Sequence, residues 1–343
     1  MHVTPSDKSR IKKILVISLS NIGDVILTFP VIDILKTELP AAALSLVIGP
    51  KAQSLFNGNP YLDKVYIYHK KQSPLDILPW IWKLRKQRFD LVVDLRNTAI
   101  PLMIAPQFRT PLWTAKSETL HMKEKHLKRL GTVFPNTSRL DRSYALFIPP
   151  IEVQYVRRLI GDEMGHDQKY VVVAPGAADR AKRWIEEGFA EVCDQLVGSE
   201  HLKVVFVGDE QDQKVAARIA EKMSEPSVNL CGRVSLIQLA EVLKHCHLAI
   251  GNDSAPMHLA SYLDRPVLTI FGPTDPRKYG PWSTKAAFIQ GRADCRACRD
   301  PDHIKDHDCI RSVTGSDVLK AIKFTPDGVE FVSGIRKSNE EEF

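Results

Sequence analysis

Two short apolar runs that each end in a polar loop constrain the fold of this chain more than any other stretch. The first run, Leu248 to Ile250, stops at Gly251-Asn252-Asp253-Ser254, and a helical pattern follows. The second run, Val267 to Phe271, stops at Gly272-Pro273-Thr274-Asp275-Pro276. Apolar runs of this length, separated by a helix, are typical of buried strands in a parallel sheet. We therefore expect both loops to lie at the same edge of one sheet.

The loop after the first run has the features of a phosphate-binding site. Asp253 or Ser254 is a good N-cap for the helix that follows, because its side-chain oxygen can accept first-turn amides. The positive end of a helix dipole also favours an anion. Ligands of open α/β sheets bind beyond the carboxyl ends of the strands. These loops therefore predict a nucleotide site, with His258 one helical turn beyond Ser254 on the same face.

The alternation of strands and helices extends over the whole chain, whose 343 residues suggest about two domains. We predict two Rossmann-like α/β domains with parallel sheets that face a cleft. The boundaries are 1–150, a linker at 151–168, and 169–343. The predicted strands, besides those above, are Ile14–Ser18, Leu44–Ile48, Val65–Tyr68, Asp90–Leu95, Tyr170–Ala174, Lys203–Val207 and Val228–Leu230.

Composition excludes several classes of protein. Hydrophobic residues at 44% and charged residues at 26% are ordinary for a globular chain. The net charge of +6 permits an anionic substrate or a membrane surface, and we expect no nucleic-acid partner. The apolar run Ile14–Leu19 follows basic residues as in a signal peptide, but Ser20, Asn21 and Asp24 interrupt it. No run is long enough to span a bilayer, so we expect a cytoplasmic protein.

Several motifs resemble glycosyltransferase family 9, the lipopolysaccharide heptosyltransferases. The longest is Asp-Ser-x-x-x-His-Leu-Ala from Asp253, followed by Arg-Pro-Val and Phe-Gly-Pro-Thr-Asp-Pro. Gly23-Asp24 and Lys182-x-Trp184 match as well, and the similarity runs from Ile14 to about Lys323. The resemblance implies a GT-B type fold, with an N-terminal acceptor domain and a C-terminal nucleotide-sugar domain. It also implies inverting transfer of heptose from ADP-heptose to the lipopolysaccharide inner core, in peripheral contact with the inner membrane.

The resemblance assigns two catalytic residues. It implies that Asp24 is the base that takes the proton of the acceptor hydroxyl, a role that suits a carboxylate. The alternative is that Asp24 only caps the helix that begins near it. Lys182 would neutralise the charge of the leaving diphosphate. The alternative for Lys182 is an ordinary surface charge. GxGxxG is absent after the first strand, so a nicotinamide enzyme is not supported, and we expect no cofactor.

The predicted binding residues divide between the two domains. One of them, Ala255, stands where the family often has glycine. A basic segment at 108–142 is predicted either as a solvated helix face or as a cationic surface for a lipid-linked anionic saccharide. The predicted donor-binding residues are Gly176, Ala177, Lys182, Asp253, Ser254, Ala255, His258 and Thr274. The predicted acceptor-binding residues are Asn21, Gly23, Arg96, Lys123, Lys125 and Arg129.

Two questions stay open at the level of sequence. One is whether the enzyme uses another sugar or acceptor, or is a nucleotide-sugar epimerase or hydrolase on the same architecture. The other concerns Cys295, Cys298 and Cys309, with His303 and His307 between them. Cysteine and histidine at such spacing can bind zinc, but a single Cys-x-x-Cys pair falls short of four clean ligands. We expect a reduced loop without metal, with a zinc site as the alternative.

Overall fold

The computed structural model divides into two compact units, unit 1 (Met1–Pro149) and unit 2 (Pro150–Phe343). It describes residues 2–18, 20–69, 73–112, 119–135, 144–165, 168–292, 295–299 and 308–332.

Unit 1 contains a five-stranded parallel sheet in the order β3-β2-β1-β4-β5. β1 and β4 form its centre and are almost completely buried, as their apolar sequences predict. The chain moves outward in opposite directions from these two strands, so the loops after them diverge. The strands are β1 (Lys13–Ile17), β2 (Ala43–Ile48), β3 (Lys64–Ile67), β4 (Leu91–Asp94) and β5 (Phe108–Arg109).

The pattern over Val25–Leu39 predicts one helix with Pro30 near its first turns, but the structure divides this stretch between two helices. The break follows from Pro30, which has no N–H to continue the hydrogen-bond ladder. Thr28 stabilises the break, because its hydroxyl donates to the carbonyl of Val25 at 2.6 Å. The helices of unit 1 are α1 (Pro5–Lys8), α2 (Ile22–Ile26), α3 (Phe29–Glu38), α4 (Pro74–Arg85), α5 (Ile100–Ile104) and α6 (Met122–Gly131), with a 3₁₀ helix at Pro50–Phe56.

Unit 2 contains a six-stranded parallel sheet in the order β11-β10-β9-β6-β7-β8. Counted along the chain, this is the doubly wound order 3-2-1-4-5-6, whose switch point lies between the two central strands. The sequence did not predict β11 or the terminal β12–β13 hairpin. The strands are β6 (Tyr170–Ala174), β7 (Lys203–Phe206), β8 (Ser227–Asn229), β9 (Leu248–Asn252), β10 (Val267–Phe271), β11 (Ala286–Gln290), β12 (Ile322–Thr325) and β13 (Gly328–Phe331).

The helices of unit 2 pack on this sheet around a core that includes Trp184, Phe189 and Phe206. α7 covers most of the stretch expected to be a linker and belongs to unit 2. The helices are α7 (Pro150–Met164), α8 (Glu186–Glu200), α9 (Gln213–Lys222), α10 (Leu236–His245), α11 (Ala255–Tyr262), α12 (Pro276–Tyr279), α13 (Arg296–Arg299), α14 (Asp308–Arg311) and α15 (Gly315–Ala321), with 3₁₀ turns at Arg180–Lys182 and Glu210–Asp212.

Among the described residues, no helix combines the length and the apolar character that a membrane crossing requires.

Candidate active site

The loops that follow β6 and β9 start side by side at the switch point of unit 2. Ala174 at the end of β6 pairs with Gly251 in β9. A Cβ at Gly251 would lie 2.6 Å from the carbonyl oxygen of Ala174, so the two strands can approach this closely only because residue 251 is glycine. The Pro175–Arg183 loop and the Asn252–Ser254 loop therefore share one edge of the sheet.

Asn252 joins these two loops, a role that is not among those predicted from the sequence. Its side chain is fully buried. Nδ2 donates to the carbonyl of Pro175 at 2.7 Å, and Oδ1 accepts the amide of Trp184 at 3.0 Å. A buried amide is satisfied only when its donors and acceptor both have partners. The detectable signal was a polar residue at the end of an otherwise apolar strand.

Three of the predicted donor-binding residues, Lys182, Asp253 and His258, come together at this edge. Lys182 Nζ lies 2.7 Å from Asp253 Oδ2, and His258 Nε2 lies 3.8 Å from Asp253 Oδ1. The Asp253 side chain is 5% exposed, whereas that of Lys182 is 31% exposed. The His258 ring stacks on Trp282 with centroids 5.9 Å apart. The buried carboxylate of Asp253 thus binds the ammonium group of Lys182, which stays partly exposed.

Ser254 is the N-cap residue of α11, but the expected side-chain cap is wrong. Its hydroxyl donates to the carbonyl of Asn252 at 3.1 Å and makes no capping bond. Asp253 precedes the N-cap position, and its Oδ2 accepts a hydrogen bond from Lys182. Pro256 lacks an N–H, so one fewer amide of the first turn needs a partner. Ala255 begins the helix and is half-buried.

Gly176 lies against a carboxylate that the sequence analysis overlooked. A Cβ at Gly176 would lie 2.1 Å from atoms of the Asp212 carboxyl group, and one at Gly208 would lie 2.6 Å from Asp212. Burial raises the pKa of Asp212, although a backbone bond from Asp209 opposes the shift. Ala177 is also buried, and its backbone carbonyl accepts a hydrogen bond from Arg183 Nε at 2.8 Å. The group that approaches the Gly176 backbone closely is therefore the Asp212 carboxyl group.

The loop after β10 brings Thr274 to the same edge as a half-buried residue. Asp275 next to it caps α12, because its carboxylate accepts the amide of Arg277 at 3.0 Å. Burial alone would raise the pKa of Asp275, but the hydrogen bonds and charge of Arg277 hold it below its usual value. Asp275 thus stabilises a turn.

Asp24 occupies the corresponding position in unit 1, directly beyond β1. It lies in the first turn of α2, half-buried, and Asn21 Nδ2 donates to its Oδ2 at 3.0 Å. Gly23 precedes it in the same turn and is half-buried. Asn21 is the N-cap residue and is exposed, so the carboxylate of Asp24 is positioned by its own turn.

Arg96 follows β4, the other central strand of unit 1. Its loop is held by the buried Asp94 carboxylate, which accepts the amides of Arg96 and Thr98 at 2.8 and 2.6 Å. Burial raises the pKa of Asp94, and these hydrogen bonds oppose the shift. The Arg96 guanidinium lies 5.1 Å from the centroid of the Tyr68 ring. Arg96 and Asp24 therefore flank the switch point of unit 1.

The basic segment is not a uniformly exposed cationic surface, because α6 buries part of it. Arg129 is 6% exposed, and its guanidinium donates to the backbone carbonyls of Asp94 and Pro111. Burial lowers the pKa of His126 to about 4. Lys123 pairs with Glu124 at 3.0 Å, and Lys125 is half-buried. Arg129 thus supports the loop of Arg96, which a linear pattern of charges could not reveal.

The three cysteines of the tail converge in unit 2. The sulfur atoms of Cys295, Cys298 and Cys309 all lie within 4.8 Å of one another. His303 and His307 lie outside the described residues.

Two open parallel sheets with polar residues at both switch points match the predicted GT-B type fold. The profile of glycosyltransferase family 9 (heptosyltransferase) matches residues 77–307, and the chain belongs to this family.

Known proteins agree with this assignment. Lipopolysaccharide heptosyltransferase 3 of Escherichia coli is 28% identical over 287 residues, covering 76% of this chain and 84% of that protein. The crystal structure of a family 9 glycosyltransferase from Veillonella parvula matches with a TM-score of 0.77 and 24% identity, over 90% of this chain and 96% of that one. E. coli ADP-heptose lps heptosyltransferase II matches with a TM-score of 0.70 and 22% identity over the same shares. The GT-B prediction is thereby confirmed.

Proposed function

We propose that this enzyme transfers heptose from ADP-heptose to the inner core of lipopolysaccharide, with inversion at the anomeric carbon. Membership of the heptosyltransferase family supports a heptose donor and a saccharide acceptor. The similarity to a structure named for ADP-heptose favours ADP as the nucleotide. The observation that carries the donor site is the Lys182–Asp253 pair at the switch point of unit 2.

Lys182 supplies the positive charge that the departing nucleotide needs. Charge builds on the diphosphate as the bond between the anomeric carbon and phosphate oxygen breaks. The ammonium group of Lys182 is held by a buried carboxylate but remains partly exposed. Asp253 is therefore a positioning residue, and Lys182 is the residue that meets the diphosphate. Ser254, Ala255, His258 and Thr274 complete the donor side, with Gly176 and Ala177 forming the adjacent loop.

Asp24 acts as general base in unit 1. The acceptor hydroxyl attacks the anomeric carbon from the face opposite the diphosphate, its proton passes to the Asp24 carboxylate, and ADP leaves. The half-buried carboxylate of Asp24, oriented by Asn21, supports this role. A base of this kind contributes about 10²–10⁴-fold to the rate.

The acceptor is a lipid-linked anionic saccharide, so the enzyme works in peripheral contact with the inner membrane. Arg96, beside Asp24 at the switch point of unit 1, is the best-placed cation for its phosphates or acidic sugars. Asn21 and Gly23 border the same turn. Lys123 and Lys125 of α6 extend the basic surface, while the buried Arg129 acts through the Arg96 loop.

Calorimetric binding of ADP, UDP and GDP without added metal tests the donor assignment. We expect selective ADP binding that weakens at least about tenfold in Lys182→Ala, because a charged partner of the diphosphate is lost. Lys222→Ala is the control, since Lys222 is an exposed lysine of unit 2 that pairs with Glu187. Preference for UDP or GDP would remove ADP-heptose as donor, and equal binding by both variants would contradict the role of Lys182.

Donor consumption with and without acceptor tests the reaction class. A transferase releases ADP in proportion to acceptor, whereas an epimerase or hydrolase consumes the nucleotide-sugar alone. Sugar profiling then separates heptose from other donors.

A further inference from the structure

Three thiols that are distant from the proposed donor residues in sequence form a compact cluster in unit 2. Cys295 precedes α13, Cys298 lies within it, and Cys309 lies in α14. Cys295 and Cys309 are buried, whereas Cys298 is exposed. Their sulfur atoms all lie within 4.8 Å of one another, and those of Cys298 and Cys309 are 3.6 Å apart.

The sulfur separation of Cys298 and Cys309 fits a shared metal ion better than a disulfide. A disulfide requires an S–S distance of about 2.05 Å. Two thiolates bound to one tetrahedral zinc ion at about 2.3 Å stand about 3.8 Å apart. The observed 3.6 Å between Cys298 and Cys309 is close to the second value. We propose that Cys295, Cys298 and Cys309 supply three of the four ligands of a structural zinc ion.

The surroundings of the cluster explain what an ion would contribute. Apart from the cysteines, the small apolar cluster here contains only Ala297 among the described residues. Ile310 of α14 is buried in the main core of unit 2, whereas the four-residue helix α13 is too short to be stable by itself. A zinc ion would join α13 to α14, because metal-binding free energy acts directly as folding free energy.

α14 packs against Gly272, the first residue of the loop that carries Thr274. A Cβ at Gly272, where that loop begins, would lie 2.9 Å from Ile310 Cβ and 3.3 Å from the carbonyl oxygen of Ala181. Ile310 directly follows Cys309, and Ala181 directly precedes Lys182. A zinc ion that fixes α14 would therefore also support the loops carrying Thr274 and Lys182.

Elemental analysis of the full chain, purified under reducing conditions from zinc-supplemented medium, tests the site. We expect about one zinc ion per chain, and its loss in Cys298→Ala, whose exposed side chain leaves no cavity in the core. Cys231→Ala removes a buried thiol of unit 2 outside the cluster and should retain the zinc. Cobalt loaded in place of zinc should give a thiolate-to-metal charge-transfer band in the wild type and in Cys231→Ala only.

Four results would overturn the zinc site. They are a metal-free wild type with three reactive thiols, a Cys298–Cys309 disulfide in the reduced preparation, iron in place of zinc, and unchanged zinc content in folded Cys298→Ala. Circular dichroism of each variant separates loss of metal from loss of fold.

A second and independent feature is an exposed apolar face on α4 in unit 1. Leu78, Trp82 and Arg85 follow the i, i+4, i+7 spacing that places them on one helix face. Leu78 is 56% exposed and Trp82 is 59% exposed. The opposite face packs into the core of unit 1 through Ile81 and Leu84. α4 therefore carries apolar side chains on its exposed face as well as on its buried face.

The neighbouring helix extends this surface, and cations surround it. Leu102 and Met103 of α5 are 46% and 38% exposed, and Arg85 Nη1 donates to the carbonyl of Met103 at 2.5 Å. Exposed apolar patches rimmed by charge mark interaction sites. The exposed cations around this patch are Lys83, Arg85, Lys86 and Arg88.

We infer that the α4–α5 patch, defined by Leu78, Trp82, Leu102 and Met103 with these cations, docks on an anionic lipid surface. Tryptophan and leucine suit the membrane interface, and each nearby lysine or arginine adds attraction to anionic headgroups. This membrane surface rests on the proposed function, because the lipid-linked acceptor is what brings the enzyme to the bilayer.

Co-sedimentation with vesicles of phosphatidylcholine and phosphatidylglycerol tests this surface. We expect binding that falls about tenfold in Trp82→Ala and in the Lys83→Glu/Lys86→Glu variant, and that weakens with salt. Tyr155→Ala, which removes an exposed aromatic ring of unit 2, should bind like the wild type.

Equal binding by all variants, or equal binding to pure phosphatidylcholine, would overturn the lipid assignment. A dimer that depends on Trp82 and does not bind vesicles would show that a second copy of the chain covers the patch instead. Calorimetry with ADP on the same variants keeps the two proposals apart, because the patch can fail while nucleotide binding is intact.

Discussion

Asp24 and Lys182 divide the proposed chemistry between a base and a cation on different units. Asp24 is held only by its own turn, through Asn21. Lys182 instead depends on Asp253, which lies 71 residues further along the chain. A carboxylate next to a diphosphate would be repulsive unless paired, so the ion pair makes Asp253 compatible with a nucleotide site.

Replacement of the base should separate catalysis from donor binding. We expect Asp24→Asn to lower kcat about 10²–10⁴-fold, because the amide cannot take the acceptor proton. The dissociation constant of ADP should stay within about twofold of wild type, a change of less than 1 kcal/mol. Steady-state kinetics and calorimetry measure the two quantities. Normal kcat in Asp24→Asn, or lost ADP binding in a folded variant, would contradict the assignment.

The fit of Gly176 against Asp212 gives a test of stability. A Cβ 2.1 Å from the carboxyl group forces Asp212 to move, so we expect Gly176→Ala to cost about 1–3 kcal/mol. Gly198→Ala is the matched control, because no atom lies within 4 Å of its added Cβ. At this exposed position of α8 the change should stabilise by up to about 1 kcal/mol. Chemical denaturation compares them, and equal effects would refute the contact.

At the scale of elements, α6 is an amphipathic helix whose buried face carries polar side chains. Its mean composition is that of a solvated surface, yet His126 and Arg129 face inward. Arg129 satisfies backbone carbonyls, whereas His126 Nε2 is buried without a hydrogen-bond partner in the described part of the chain. Burial, with the charge of Arg129 nearby, keeps the His126 ring neutral near pH 7.

The depressed pKa of His126 predicts a loss of stability in acid. The unfolded chain binds this proton near pH 6.5 and the folded chain only near 4. Stability is therefore complete above pH 6.5 and falls as the pH drops from there toward 4. Between pH 7.5 and 5.0 the wild type should lose about 2 kcal/mol more than His126→Phe, measured by urea unfolding.

His201→Asn is the control for the acid effect. His201 is exposed, and asparagine tolerates its left-handed backbone at the end of α8. This variant should lose stability with pH as the wild type does. A His126→Phe protein with the wild-type pH dependence would show that His126 is not the responsible group.

At the scale of the whole molecule, each unit has its own parallel sheet, and the proposed donor residues all belong to unit 2. We expect saturating ADP to slow amide exchange at 175–184 and 252–258, because binding stabilises the loops that contact the ligand. Exchange in unit 1 should be unchanged by ADP alone. Hydrogen exchange with mass spectrometry measures both. Protection confined to 20–26 would place the nucleotide in the wrong unit.

The sequence by itself determined the alternation of strands and helices, the two loops of unit 2 and the turn of Asp24. Apolar runs, glycine and proline act over a few residues, so their patterns can be recognised along the chain. β6 and β10 match their predicted bounds, whereas the helix predicted over Val25–Leu39 breaks near Thr28 because Pro30 cannot continue the hydrogen-bond ladder.

Tertiary structure alone decided which distant groups meet. Asn252 joins backbone groups 77 and 68 residues away, and Arg129 reaches a carbonyl 35 residues away. The approach of Gly176 to Asp212 and the cluster of Cys295, Cys298 and Cys309 have the same origin. Such contacts depend on how strands order in the sheet and how helices pack on it. That order follows from the burial of the complete chain, which no local pattern of residues contains.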